Sequence, residues 1–194
     1  MQLLKSALTA LALLAVLASS AHAKQDPVTP KATKSSFIAT YKTYTPPTEA
    51  EPYATTAELV AARLQRMKSD VRYLLLIKNG ISLYRKGALN DRQFTVLRWF
   101  IQEVGKSSFE LIQLKRHGVT PEQGFSLTPE EYELAELFNA YCNWTYSISM
   151  SAPDMVLFFP RTRRPLLDVA DETYRDAVQK SQALGIEQVW IESK

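Results

Sequence analysis

Asn90–Gly118, NDRQFTVLRWFIQEVGKSSFELIQLKRHG, is the longest run of this chain that obeys a single periodic rule. Asn90 is placed to accept from a backbone N–H one turn on, and Gln93, three residues later, to reach back, the reciprocal pattern of a capping box. Phe94, Leu97, Ile101, Val104, Ser108, Leu111 and Leu114 follow at three- and four-residue spacing and share one helical face, which Phe100, Phe109 and Ile112 widen. Lys115 and Arg116 suit the negative end of the helix dipole, and Gly118 supplies the left-handed stop. Such a run makes a rod of roughly 42 Å. Its stripe gains on the order of 1.5–3 kcal/mol per fully buried side chain, but only against partner surfaces. The remaining segments must provide them.

Upstream, a first helix is expected from Thr56 to Lys78. Thr55 and Glu58 have capping-box spacing, Val60, Leu64, Met67, Val71, Leu74 and Leu75 form the stripe, and Asn79-Gly80 is read as its end. Ile81 to Leu89 is then a connector or short helical turn containing Gly87, and a connection this short sets the two helices antiparallel. Downstream, Thr120 to Ser126 is a loop punctuated by Pro121 and Gly124. Thr128-Pro129-Glu130-Glu131 combines a capping threonine, proline at the first helical position and acids in the first turn. Leu134, Leu137, Phe138, Tyr141, Thr145 and Ile148 give the third stripe, which closes at Ser149–Ser151 and Pro153. Asp154–Pro165, DMVLFFPRTRRP, reads as an extended apolar strap, Val156 to Phe159, followed by a basic cluster. A fourth helix is expected from Leu167 or Asp168 to Leu184, with Val169, Tyr174, Ala177, Val178 and Leu184 inward and Gly185 as stop; Ile186 to Ile191 is a short strand or extended tail. The fold class is all-α: an antiparallel helical bundle of about four helices, with an extended N-terminal leader and a C-terminal strap and tail.

Residues 1–23 have the pattern of an export signal: Lys5, an apolar run from Ala7 to Leu17, and Ala21-His22-Ala23 as a cleavage site before Lys24. Residues 24–54, with prolines at 27, 30, 46, 47 and 52, read as a flexible leader in which only Ser36 to Tyr41 is apolar enough to dock on the domain. Residues 55–194 form the helical domain. The expected location is periplasmic or secreted, after cleavage near Ala23-Lys24. An exported chain usually carries cysteine pairs, yet this one has a single cysteine, Cys142, which falls on an apolar helical side and reads as core. With His22 and His117 the only histidines, no zinc pattern can be written, and neither metal nor cofactor is expected. Charge is uneven. Twelve Lys or Arg face four acids between Val60 and His117, whereas Thr120 to Met150 holds five acids and no base. Either an anionic partner or an acidic helix lying against basic ones accounts for this, and the second is the more economical.

Nucleophilic catalysis lacks its parts. There is no G-x-S-x-G elbow, and any triad would have to use His117, whose place beside Gly118 suits a solvated helix-terminal residue. The glycines form no phosphate-binding loop. Arg63, Arg66 and Lys78, with Asp91-Arg92 opening the next helix, are candidate cationic groups for a small dianion. Arg63-Leu64, Lys78 and Asp91-Arg92-Gln93-Phe94-Thr95-Val96-Leu97 give the chain a resemblance to the secreted helical chorismate mutases. That resemblance implies a small helical enzyme acting on an anionic metabolite, with Arg63, Arg66, Lys78, Asp91 and Arg92 as its site and Glu110 or Gln113 as the later acidic or amide group. The spacing from Arg66 to Lys78 departs from the family pattern, because twelve residues do not return to one helical face. Arg161-Thr162-Arg163-Arg164 looks like a processing-protease site, but Pro165 directly after it blocks cleavage. Flanked by Phe158 and Phe159, Arg161, Arg163 and Arg164 suit a protein partner or an anionic membrane surface. Export and a near-neutral charge disfavour nucleic acid. The expectation is an exported, non-catalytic helical protein that binds another protein, of inhibitor, immunity or accessory type.

Overall fold

A computed structural model describes Tyr44, Tyr53 and residues 55–189. The expected export signal, the Ser36–Tyr41 segment and the rest of the expected leader, Tyr44 and Tyr53 apart, lie outside the described residues. Caps decide where the helices start. Thr55 accepts from the Glu58 N–H at 3.2 Å while Glu58 accepts from the Thr55 N–H at 3.1 Å, opening α1 (Thr56–Val71). Asn90 and Gln93 exchange the same pair of bonds, at 3.0 and 3.1 Å, ahead of the 26-residue helix Asp91–Arg116. Thr128 and Glu131 do so ahead of Pro129–Ser149. Each box satisfies backbone donors that a helix start otherwise leaves open.

The expected first helix is not one helix. It breaks at Arg72-Tyr73, where the Tyr73 N–H bonds to the Asp70 carbonyl at 3.0 Å, and resumes as α2 (Leu74–Arg85). Asn79-Gly80 does not end it, and Ile81 to Arg85 is neither a connector nor a separate short turn but the continuation of this helix. Leu74 to Ile77 are four consecutive buried residues, so α2 is enclosed on several sides, and its buried face continues through Gly80, Ile81 and Tyr84. That burial outweighs the ~1 kcal/mol propensity cost of a mid-helix glycine. The real stop is Gly87, at φ 63°: its N–H bonds to the Tyr84 carbonyl and the Ala88 N–H to that of Leu83.

With α2 counted, Asp91–Arg116 is α3, Pro129–Ser149 is α4, and Leu166–Ala183 is α5. The class is all-α, with five α-helices among the described residues and one 3₁₀ turn at Pro121–Gln123. The broadest packing is α3 on α4 and α4 on α5, with α1 against α3. The α3 stripe is inward as read, with Leu97, Phe100, Ile101, Val104, Ser108, Leu111 and Ile112 buried. Phe109, expected to widen that face, is instead half exposed, because it lies on the far flank of the α3–α4 seam. There Gly105 lets the helices close: a Cβ on it would sit 3.1 Å from Cys142 Cβ. Cys142 is buried, and burial pushes its thiol well above the usual range.

Part of the acidic charge of α4 is neutralised internally. Lys68 pairs with Glu131 at 2.5 Å and Lys180 with Glu133; separately, Lys115 sits 3.5 Å from the centre of the uncharged Tyr132 ring. α5 begins one residue earlier than expected, since the Leu166 N–H bonds to the Leu157 carbonyl at 2.7 Å. Its buried face is Leu166, Ala170, Ala177 and Ser181, with Val169, Tyr174, Val178 and Leu184 half-buried beside it. Past Gly185 the tail is extended and returns to the α1–α2 break: the Val189 N–H bonds to the Arg72 carbonyl at 2.8 Å, and Arg72 Nε to the Glu187 carbonyl at 3.3 Å.

Candidate functional site

Between α4 and α5 the strap folds as a small hairpin. The Phe159 N–H bonds to the Arg164 carbonyl at 2.8 Å, the Leu166 N–H to that of Leu157, and Phe158 lies opposite Pro165. The Arg163 N–H closes the tip on the Phe159 carbonyl at 2.9 Å, which puts Arg163 in the left-handed region at φ 57°. Extended backbone alternates its faces. Leu157 and Phe159 therefore turn to the core, Phe159 edge-on to Trp144 at 5.2 Å, and Val156 and Phe158 turn out. Phe158 is 58% exposed, Val156 52%, Met155 50% and Met150, at the root, 57%. Four large apolar side chains thus face water along one short segment, a combination a folded surface normally avoids unless something covers it.

The root of the strap is held by α2 and α3. Tyr84 donates to the Ser151 carbonyl, and its ring stacks on Phe94 at 4.4 Å and 7°. Arg85 donates to the Met155 carbonyl at 2.7 Å. Arg98 covers the other face of Phe94 at 4.0 Å and reaches Met150 Sδ at 3.1 Å. Tyr84 and Arg85, which hold the root of the strap, were given no role by sequence reasoning, since it placed them in a connector or short helical turn. The signal was present: Ile77, Ile81 and Tyr84 continue the stripe at spacings of four and three. A groove of about 210 Å³ runs under the strap, lined by Arg85, Ile148, Met155, Val156 and Leu166. A neighbouring cleft of about 220 Å³ opens between Lys78, Ile81, Arg85, Tyr141 and Asp171.

The sequence-derived cationic residues do not meet at either place. Arg63 pairs with Glu110 and lies 5.7 Å from the Tyr53 ring centre. Arg66 bonds to Asp70 at 2.5 Å. Lys78 approaches Asp171 at 3.9 Å and the Tyr174 ring at 4.3 Å. Asp91 and Arg92 are exposed in the first turn of α3. Four cations thus sit in four separate settings. Of the strap arginines, Arg164 is committed to Glu172 through two bonds, at 3.0 and 2.5 Å. Arg161 and Arg163 are exposed and, among the described residues, have no ion-pair partner.

A second polar cluster was legible only in part. Asp70, 2% exposed, accepts from Arg66 Nε and, at 3.4 Å, from the Tyr44 hydroxyl, which itself accepts from Arg66 Nη2 at 2.8 Å. The Tyr44 ring fits edge-on among Tyr73, Trp99 and Phe100, at 5.4, 6.2 and 4.9 Å. Burial raises the Asp70 carboxyl to about 7 against the pull of Arg66, and the Glu103 charge adds to the rise. Every group in the cluster is engaged by another, the mark of a structural clasp between a leader residue and α1. Among the described residues no three His, Cys, Asp or Glu side chains gather to hold a metal ion, and no helix is long and apolar enough to cross a membrane. No protein-family model matches the chain, and neither curated proteins nor solved structures yield a match.

Proposed function

We propose that this chain is an exported, non-catalytic helical protein that binds another protein, of inhibitor, immunity or accessory type, and that the strap is its contact surface. The observation that carries this reading is the display of Met155, Val156 and Phe158 on a hairpin held at its root, where Met150 is also exposed, beside Arg161 and Arg163, which have no ion-pair partner among the described residues. A held surface loses little entropy on docking, and aromatic and arginine side chains dominate contact energies. Export rests on the pattern of residues 1–23.

The test is a quantitative pull-down from the envelope of the exporting cell, with the wild-type domain beside Phe158→Ser and an Arg161→Glu/Arg163→Glu double variant. The expected result is a protein retained by the wild type, lost with both variants, and bound saturably once purified. A protein retained equally by all three overturns the strap as the surface. Binding of anionic vesicles with no protein captured overturns the protein partner.

A further inference from the structure

The strap has a second property, in its backbone. In an antiparallel ladder the N–H and C=O groups of successive residues point to opposite sides of the strand. The Leu157 carbonyl and the Phe159 N–H and carbonyl are used inside the hairpin, toward residues 163–166. The backbone groups of Val156 and Phe158 therefore point away from it, and among the described residues none of them has a hydrogen-bond partner. Edges of this kind are usually blunted by lysine, proline, a bulge or a covering element. Here the nearest prolines, Pro153 and Pro160, lie outside the open stretch, and Val156 and Phe158 both present apolar, solvent-facing side chains. A two-stranded hairpin gains from a third strand, because pairing satisfies the open groups and covers the apolar side chains together.

The occupant follows from charge. Arg161 and Arg163 lie at the tip, exposed and unpaired among the described residues, so a complementary strand carries acidic side chains. A second copy pairing edge to edge through Val156 to Phe158 would offer only apolar side chains there and no acidic one. We propose that the Val156–Phe158 edge is a β-augmentation site, at which an extended, acidic segment of the partner protein adds as a strand. This rests on the strap being the binding surface.

Hydrogen exchange of the Val156 and Phe158 amides, read by NMR on the full folded domain, decides it. The probe is a blocked peptide of about nine residues alternating valine with glutamate and threonine. Saturating peptide is expected to slow exchange at Val156 and Phe158 by about tenfold or more. N-methylation of the peptide residues facing the edge, or lysine in place of glutamate, should weaken binding about tenfold, a loss of one or two hydrogen bonds or of charge complementarity. Equal binding by the N-methylated peptide overturns the proposal. So does concentration-dependent protection of both amides without peptide, which would identify a second copy as the occupant. If the peptide fails, the same exchange measurement is made on the complex with the captured envelope protein. Protection there sustains augmentation. Free exchange in a complex that Phe158→Ser abolishes overturns it while leaving protein binding intact, and absence of any strap-dependent partner removes both readings.

Discussion

Asp70 sits in a place where a carboxylate has little water, one arginine, one phenol and a nearby Glu103 charge. Its ordinary value is 3.8, and burial lifts it to about 7. In the unfolded chain the group loses its proton near pH 4, while in the folded chain it keeps it until about pH 7. Folding therefore takes up a proton across that window, so the stabilisation is complete below pH 4 and is lost as pH rises through 7. Urea denaturation of wild type and Asp70→Asn from pH 4 to 8 should show the wild-type advantage falling by on the order of 2–4 kcal/mol over that range. A constant difference would mean that the carboxyl does not titrate there. Tyr44→Phe removes hydrogen bonds to a guanidinium and a carboxyl and keeps the ring contacts. It should cost about 1.5–3 kcal/mol in the same assay at neutral pH. Arg66 stood out in the sequence as a cation on a helix, but its assignment did not, because Tyr44 lies in a stretch with no periodicity to read.

Helix starts were legible wherever a side chain does the capping, since Thr55, Asn90 and Thr128 each announce themselves by an acid or amide three residues on. Ends were less so. Asn79-Gly80 has the composition of a stop, yet the decision there belongs to burial, which composition does not display. Phe109 went astray for the same reason: spacing places it near the stripe, but only the approach of α4 decides which flank is covered. The strap was legible as an irregular apolar segment, and its hairpin pairing was not. Two substitutions test elements directly. Gly124 has φ 97°, and a Cβ there would lie 2.7 Å from Ala57 Cβ and 2.8 Å from its backbone. Gly124→Ala should cost about 2–4 kcal/mol by strain and overlap, read as a lowered thermal midpoint. Tyr84→Phe keeps the stack on Phe94 and removes the bond to Ser151. It should cost about 1 kcal/mol overall and raise backbone exchange at the root of the strap.

Across the whole domain, α3 and α4 close around Cys142, which makes the thiol a reporter of global opening. A disulfide reagent should leave it unreacted in the folded protein and modify it at the unfolding rate in mid-transition urea; rapid reaction without denaturant would contradict its burial. Phe158→Ser, by contrast, should leave the thermal midpoint almost where it was, within about 0.5 kcal/mol, because its side chain has few contacts to lose. One consequence of the fold concerns orientation. Tyr44 and Val189 both attach at the joint between α1 and α2, whereas the strap hangs from Tyr84 and Arg85, about 17 Å farther along α2. Tyr44 and Val189 therefore attach near the start of α2, and the root of the hairpin lies at its other end. A fluorescent label carried at Val189 should therefore leave the hairpin unobstructed.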